Sequence, residues 1–174
     1  MLEGKTVSLR ALEPEDVNLL YLWENDTKIW HVSNTQMPYS KDYLTKYIHA
    51  VSDIYTDKQL RLVIVSTKNK KAIGFVDLFD VDFNHQRAGI GILIASEKNR
   101  NKGFADEAIK LVMNYVFTTL NLSQLFCNIL VSNTPSLHLF KKNNFVLIGC
   151  KKNWIRTSVG YEDELMLQHL RDKR

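Results

Sequence analysis

The chain has 174 residues, of which 45% are hydrophobic and 24% charged, with only 7 Gly and 3 Pro. This composition excludes a disordered chain, a collagen-like repeat and a Pro-rich linker, and the length fits one folded domain over residues 1–174. The net charge of +4 is uneven, because residues 1–97 carry 11 basic and 13 acidic side chains and residues 98–174 carry 12 basic and 6 acidic ones. A cationic carboxyl-terminal half suits an anionic ligand, although surface charge also serves solubility.

Apolar periodicity predicts a strand, two helices, three strands, a helix, a strand, a helix and two strands, in that order. Pro14 is typical of a helix start, and Ser40 can cap the second helix. This order, βααβββαβαββ, predicts an α/β (mixed α+β) fold with one mixed sheet and helices on both faces. The predicted ranges are 6–10, 14–25, a helix after 40, 60–66, 72–82, 87–95, 104–120, 125–131, 135–143, 145–151 and 161–170.

Metal, disulfide and membrane features find no support in the sequence. The 5 histidines are dispersed without a ligand spacing, so no metal site is expected. Cys127 and Cys150 both lie in apolar runs, which predicts two core thiols rather than a disulfide. No signal peptide and no apolar stretch long enough to span a membrane are present, so we expect a cytoplasmic protein.

A basic loop at residues 98–105, between a predicted strand and a predicted helix, carries the clearest chemical signal. Its Arg100-x-x-Gly103-x-Ala105 spacing leaves only small groups near the helix start. Backbone N–H groups there, together with the partial positive charge of the helix terminus, can hold a pyrophosphate. Taken alone, the pattern also fits a basic solvated loop before a helix.

The loop and the order of the predicted strands and helices around it together resemble the GNAT superfamily of acyl-CoA-dependent N-acetyltransferases. There an R/Q-x-x-G-x-G/A loop follows strand four and opens helix three, as this loop does here. Residues 133–145 resemble the second family motif, N-x-x-[AS]-x-x-L-Y-x-K-x-G-F. The resemblance implies the GNAT fold, with a mostly antiparallel mixed sheet of about seven strands. Features typical of the branch with bacterial spermidine and ribosomal-protein N-terminal acetyltransferases occur at 114–117, 120–122 and 160–163.

The resemblance also implies an acetyl-CoA site. The backbone of Leu93 and Ile94 would pair with the pantetheine arm like an added strand, and Asn133 would bind the arm from the other side. Phe140 would lie against the coenzyme, and Lys142 is a candidate for its adenosine phosphate end. The pyrophosphate would be held by the loop residues Arg100, Asn101, Lys102, Gly103, Phe104 and Ala105.

The acceptor amine must lose a proton before it attacks, because an alkylamine with a pKa near 10.4 is only about one part in a few thousand neutral at pH 7. The resemblance places Asp77 and Asp80 beside the acceptor. Asp80 matches an acidic position of the spermidine enzymes, so we expect it to draw the amine in or to take its proton, directly or through water. The alternative is an exposed carboxylate at a strand end.

The leaving thiolate lacks its usual acid, since Phe140 stands where the family has a tyrosine. A phenyl ring donates no proton. Acid–base assistance is worth about 10²–10⁴-fold, but a thiol with a pKa near 8.5 already leaves tolerably well. We therefore expect slower transfer rather than none, with water, Tyr39, Tyr43 or Tyr161 as the alternative proton source.

The acceptor itself is less well indicated. The spermidine enzymes carry adjacent glutamates between their first two helices, whereas residues 30–36 here contain none and Gly89 replaces a frequent Glu; both differences argue against a polyamine. Trp23, Trp30 and Tyr39 could instead form an aromatic wall for an amine's apolar stem or a peptide terminus, or belong to the core.

The sequence thus predicts an enzyme that transfers acetyl from acetyl-CoA directly to a primary amine. The acceptor would be a peptide or protein N-terminus, or a small amine such as a polyamine. A catalytically weak acyl-CoA-binding module or sensor of the same fold is the alternative that the phenylalanine at position 140 motivates. A nucleic-acid partner is not expected because no binding motif is present. Self-association as a homodimer is expected from the family.

Overall fold

A computed structural model describes residues 1–33, 35–50 and 53–171. Its centre is one eight-stranded sheet in the order β1-β2-β3-β4-β5-β6-β8-β7. All neighbouring strands are antiparallel except β5 and β6. The strands are β1 (Leu2–Glu3), β2 (Val7–Ala11), β3 (Leu60–Ser66), β4 (Ala72–Asp82), β5 (Arg87–Ile94), β6 (Gln124–Leu130), β7 (Val146–Thr157) and β8 (Gly160–Leu170).

The four helices that apolar periodicity predicts are all present, as α1, α3, α5 and α6. Ser40 does cap α3, since its Oγ accepts a hydrogen bond from the N–H of Tyr43. One short 3₁₀ helix, Pro14–Asp16, precedes α1. A second, Glu97–Asn99, lies between β5 and α5. The α-helices are α1 (Val17–Glu24), α2 (Trp30–Ser33), α3 (Lys41–Ala50), α4 (Ile54–Asp57), α5 (Phe104–Thr118) and α6 (Thr134–Lys142).

The predicted fold class is confirmed, with differences of detail. The sheet has eight strands rather than about seven, because the two residues of β1 pair with Leu9 and Ser8 of β2. Two single-turn helices, α2 and α4, add to the two predicted before β3. The last two strands extend further toward their shared turn than the apolar pattern indicated, since β7 continues to Thr157 and β8 begins at Gly160.

Alternation along β3 builds a core on each face of the sheet. Leu62 and Ile64 pack with the buried stripe of α5, whereas Val63 faces Leu20 of α1 and Leu44 of α3. Because successive strand residues point to opposite faces, one strand supports both helix layers. The sheet therefore holds α5 on one face and the α1–α3 pair on the other.

One of the two predicted core thiols is wrong. Cys127 on β6 is buried, and burial raises the pKa of its thiol to about 12. Cys150 is exposed because it lies on β7, the edge strand. Most side chains along β7 are exposed, including the apolar Val146 and Ile148, so an apolar run there did not indicate burial.

The start of α5 is fixed by two consecutive carboxylates. Glu107 accepts hydrogen bonds from the backbone N–H groups of Lys5, Thr6 and Val7, at 2.6, 2.8 and 3.1 Å, and so ties α5 to the start of β2. Asp106 accepts from Lys110 and Lys142 through Oδ2 and from the buried Asn143 through Oδ1.

These bonds make the start of α5 sensitive to acid. Burial by itself would raise the pKa of Asp106, but the hydrogen bonds from Lys110, Asn143 and Lys142 lower it to about 2, from an ordinary value of 3.8. Because the pKa in the folded chain lies below that of the unfolded chain, the stabilisation is present above about pH 4 and is lost as the pH falls toward 2.

Asp106→Asn should lower the free energy of unfolding at pH 7 by about 1–2 kcal/mol, since bonds to a charged acceptor are replaced by weaker ones. The deficit should shrink between pH 4 and 2.5, as measured by urea unfolding. Asp42→Asn is the matched control, because Asp42 makes an exposed pair with Lys46 on α3 and should change little. A deficit that stays constant with pH would contradict this account.

Candidate active site

The site is a cavity of about 420 Å³ between β5 and β6. These strands pair in parallel over only three positions, from Arg87 and Gln124 to Gly89 and Phe126. Beyond them the strands separate, and residues 90–93 of β5 and 127–130 of β6 line opposite walls.

Phe79 lies at the point of separation. Its ring packs on Gly89, where a Cβ would overlap the ring, and contacts Phe126 edge-to-face at a centroid distance of 5.8 Å. Phe79 also lines the cavity. The glycine therefore allows a large ring to lie where the two strands begin to diverge.

The separation leaves one backbone edge of β5 facing the cavity. On its other side β5 pairs with β4 as far as Ile94, whereas the described pairing with β6 ends at Gly89. Backbone N–H and C=O groups along residues 90–94 can therefore accept an extended ligand as an added strand. Leu93, predicted to contact the coenzyme arm, lines the cavity, and Ile94 follows it at the strand end.

The predicted pyrophosphate loop follows directly. Arg100 donates from Nε to the carbonyl of Ile94 at 3.4 Å, which holds the loop against the end of β5. Asn101 and Gly103 have positive φ angles of 58° and 81°, and Lys102 between them is exposed.

The structure at the start of α5 suits a phosphate-containing ligand. Gly103 occupies the N-cap without a side-chain cap, and a Cβ there would meet nothing within 4 Å, so this end of the helix is open. The N–H groups of the first turn, including Phe104 and Ala105, have no partners within the helix. They face the direction that an anion would occupy. These residues therefore fit the pyrophosphate of coenzyme A.

Three further predicted coenzyme residues lie on α6 or at its start. Asn133 lines the cavity and caps α6, accepting a hydrogen bond from the N–H of Ser136 at 3.2 Å. Phe140 also lines the cavity; it is buried and packs edge-to-face on Phe145 at 5.0 Å. Lys142 is bonded to Asp106 at 3.1 Å, so its ammonium group is already paired beside the loop.

Where β3, β4 and the end of α1 line the cavity, an arginine joins two carboxylates. Arg61 of β3 donates to Asp77 of β4 in a two-pronged arrangement, Nε to Oδ1 at 2.6 Å and Nη2 to Oδ2 at 3.0 Å. Its Nη1 donates to Glu24 at the end of α1. All three line the cavity, and we call them the Arg61 cluster.

The guanidinium of the cluster stays charged. Burial by itself would lower the pKa of the Arg61 guanidinium, but Asp77 and Glu24 raise it above its ordinary value. The guanidinium also stacks over Phe75 at 5.0 Å and Tyr47 at 5.9 Å. Its position is therefore fixed by ion pairs in one direction and by rings in the other.

The predicted acceptor residues separate into two groups. Asp77 and Tyr39 line the cavity, and Tyr39 stacks on Tyr43 at 5.3 Å. Asp80 is exposed at an irregularity in β4 with a φ angle of 48°, and does not belong to the described lining. Trp30 lies outside the described lining too; its indole Nε1 donates to the carbonyl of Glu24 at 2.9 Å.

Sequence reasoning missed Glu24, Arg61 and, on β8, Glu164. Glu164 lines the opposite wall and accepts a hydrogen bond from Lys151 at 2.7 Å. One signal was available, since Arg61 is the single charge within the apolar strand L-R-L-V-I-V. Of the segment 30–36, Asn34 lies outside the described residues.

Within the described ranges, no three or more His, Cys, Asp or Glu side chains come together in a group that could hold a metal ion. Nor do these ranges contain a helix with the length and hydrophobicity needed to cross a membrane.

Comparison with known proteins agrees with this geometry. A family model described as an acetyltransferase (GNAT) domain matches residues 6–146. The spermidine N(1)-acetyltransferase of Escherichia coli K12 is 31% identical over 154 residues, covering 86% of this chain and 77% of the relative. That of Vibrio cholerae is 30% identical over 151 residues, covering 82% and 80%.

A crystal structure of the Vibrio cholerae spermidine N-acetyltransferase in complex with CoA and spermine superimposes with a TM-score of 0.86. It is 27% identical and covers 95% of both chains. Another structure of the Vibrio enzyme, described as dodecameric, has a TM-score of 0.79 at 27% identity, covering 95% of this chain and 94% of the other.

Fold, family model and relatives agree on the chemistry: this is an N-acetyltransferase that takes its acetyl group from acetyl-CoA and passes it to an amine. The chain belongs to the GNAT acetyltransferase family.

Proposed function

We propose that this chain acetylates a small primary amine of the polyamine type, with residues 1–174 acting as one catalytic domain. The observation that carries the proposal is the acidic lining of the cavity beyond β5. Glu24, Asp77 and Glu164 line it together with Arg61 as the one lining cation among the described residues. An excess of carboxylates attracts an acceptor that carries ammonium groups.

Acetyl-CoA is proposed to lie along the open edge of β5, with its pyrophosphate at the loop of residues 98–105. The thioester then reaches the middle of the cavity, between residues 90–93 and 127–130. Backbone N–H groups of β5 are placed to stabilise the oxyanion that forms on the thioester carbonyl.

In the transfer, the amine nitrogen bonds to the thioester carbonyl carbon and the carbon–sulfur bond breaks. The amine loses one proton, and the sulfur leaves as thiolate and gains one. We assign attraction of the amine and acceptance of its proton, directly or through water, to Asp77 rather than to Asp80. Asp77 lines the cavity, whereas Asp80 is turned to solvent at the irregularity in β4.

The missing glutamates between α1 and α3 do not argue against a polyamine in this fold. Glu24 of α1, Asp77 of β4 and Glu164 of β8 line the cavity and can attract ammonium groups in place of those glutamates. The relatives from Escherichia coli and Vibrio cholerae are named for spermidine, and the Vibrio structure contains spermine. The single amine of a peptide or protein N-terminus must be neutral to react and leaves the net negative charge of the lining without a partner, so this acceptor ranks second.

An acceptor panel tests the proposal. Purified protein with acetyl-CoA should release free thiol fastest with spermidine, spermine or 1,4-diaminobutane, and at least about tenfold more slowly with peptides that have only a free N-terminus, as expected for a difference of one charge interaction. Binding of acetyl-CoA without thiol release on any acceptor would instead favour an acyl-CoA-binding module. Faster release with the peptides would overturn the assignment to small amines.

Asp77→Asn should raise KM for the amine at least about tenfold, because a charge–charge contact worth more than about 1.4 kcal/mol is lost. KM for acetyl-CoA should be unchanged, since Asp77 lines the cavity whereas the loop at residues 98–105 does not belong to its described lining. Asp80→Asn is the comparison, and both of its KM values should stay within about twofold of the unsubstituted protein. The opposite pattern would return the role to Asp80. Steady-state kinetics with each substrate varied measures both.

Two of the described lining residues, Phe140 and Cys127, cannot supply the acid that the leaving thiolate needs. Phe140 lines the cavity without a hydroxyl, and the Cys127 thiol, with a pKa of about 12, is a weaker acid than the thiol that it would have to protonate. Phe140→Tyr should therefore leave kcat unchanged or raise it, by up to about 10²-fold. A large fall in kcat would show that the packed phenyl ring itself is needed, and a thermal unfolding curve separates that from loss of fold.

We also propose that the protein is cytoplasmic and that it self-associates, as a homodimer. The Vibrio cholerae relative is described as dodecameric. Sedimentation of the purified protein distinguishes a monomer, a dimer and a larger assembly.

A further inference from the structure

We propose that Arg61 is a specificity-determining residue, which limits the positive charge that the acceptor can bring to the cavity. The inference rests on the proposed function, because it concerns how an amine acceptor is selected. It goes beyond that function by predicting that removal of one cation changes the preferred acceptor.

Arg61 lies between Glu24 and Asp77, two of the three carboxylates that line the cavity. Arg61 donates to both oxygens of Asp77 and to one oxygen of Glu24. An ammonium group that binds either carboxylate must therefore share that carboxylate with the guanidinium. The side chains of Arg61, Glu24 and Asp77 are 20%, 13% and 30% exposed, which places the cluster in a partly desolvated wall. Charge in such a place acts more strongly than it would in water.

The charges can be counted element by element. The cluster holds two negative groups and one positive group, a formal charge of −1. Tyr47 of α3 stays a neutral phenol, since burial raises its pKa. Across the cavity, Glu164 of β8 is paired with Lys151 of β7, so that pair adds no net charge. The wall therefore balances one ammonium group in addition to the amine that reacts in its neutral form.

The arginine cannot relinquish this role by losing a proton, because a guanidinium stays charged in proteins. Nor can it swing away easily, being stacked over Phe75 and Tyr47. Its charge is a permanent part of the site. It thus favours a diamine, with one protonated nitrogen besides the reacting one, over a tetraamine with several.

The test compares 1,4-diaminobutane with spermine by the ratio of their kcat/KM values at fixed pH and low salt. Arg61→Met changes the cluster from −1 to −2 and should shift the ratio toward spermine by at least about tenfold. Arg61→Lys preserves the charge and should leave the ratio within about twofold. Glu24→Gln makes the cluster neutral and should shift the ratio toward the diamine.

Arg10→Met is the matched control. Arg10 makes the same two-pronged pair with Asp16, at 2.6 and 2.8 Å, on the other side of β3 from the cluster's strand β4 and outside the described cavity lining. It should lower stability in the same way but leave the ratio unchanged. An equal change of ratio in Arg10→Met would assign the effect to loosened folding, and would overturn the proposal.

The proposal is also overturned if the ratio stays within about twofold in both Arg61→Met and Glu24→Gln. If Arg61→Met does not fold, Glu24→Gln and Arg61→Lys still decide, because the first should shift the ratio toward the diamine and the second should leave it unchanged. If the unsubstituted protein acetylates no amine, the proposed function fails. Calorimetric binding of spermine in the presence of CoA then tests Arg61 separately, with tighter binding expected in Arg61→Met and equal binding contradicting it.

Discussion

The early end of pairing between β5 and β6 is the constraint on which the active site depends. Two parallel strands that stayed paired would leave a closed sheet with no space for a ligand. Here three paired positions are followed by divergence, with Phe79 packed on Gly89 where it begins. The divergence creates the cavity and at the same time exposes a backbone edge that an extended pantetheine arm can join. One local packing event therefore supplies both the space and the hydrogen-bonding groups.

The loop after β5 works only if α5 starts at a fixed place relative to that edge. Two carboxylates at its first turn achieve this from different directions. Glu107 binds the backbone at the start of β2, and Asp106 binds the end of α6 through Asn143 and Lys142. Negative side chains near a helix start are favourable, but they also repel a phosphate. Because both are saturated by hydrogen bonds to the protein, the open N–H groups of the helix remain available to the coenzyme.

The fold and the proposed coenzyme site could be predicted from the sequence more fully than the proposed acceptor site. Element order and alternation predict the sheet, and Arg100-x-x-Gly103-x-Ala105 depends on local backbone geometry that a short motif can encode. The acceptor site depends on contacts between distant segments, as when Glu24 and Asp77 meet at Arg61. Alternation places Asp77 with Phe75 and Phe79 on the cavity side of β4, and the irregularity after Phe79 leaves Asp80 exposed to solvent. Cys150 shows the same limit, since an apolar run does not reveal that its strand is an edge.

In the proposed mechanism, the acidic wall has two opposing effects on catalysis. Carboxylates concentrate ammonium groups near the thioester, but the same charges raise the pKa of a bound amine and so oppose the deprotonation that attack requires. Arg61 moderates this conflict, because it cancels one of the two negative charges of the cluster while fixing Asp77 in place. A wall of charge −1 can thus hold the protonated end of an acceptor and still release the proton from the other end. Arg61, proposed to select the amine, would in this way also contribute to its activation.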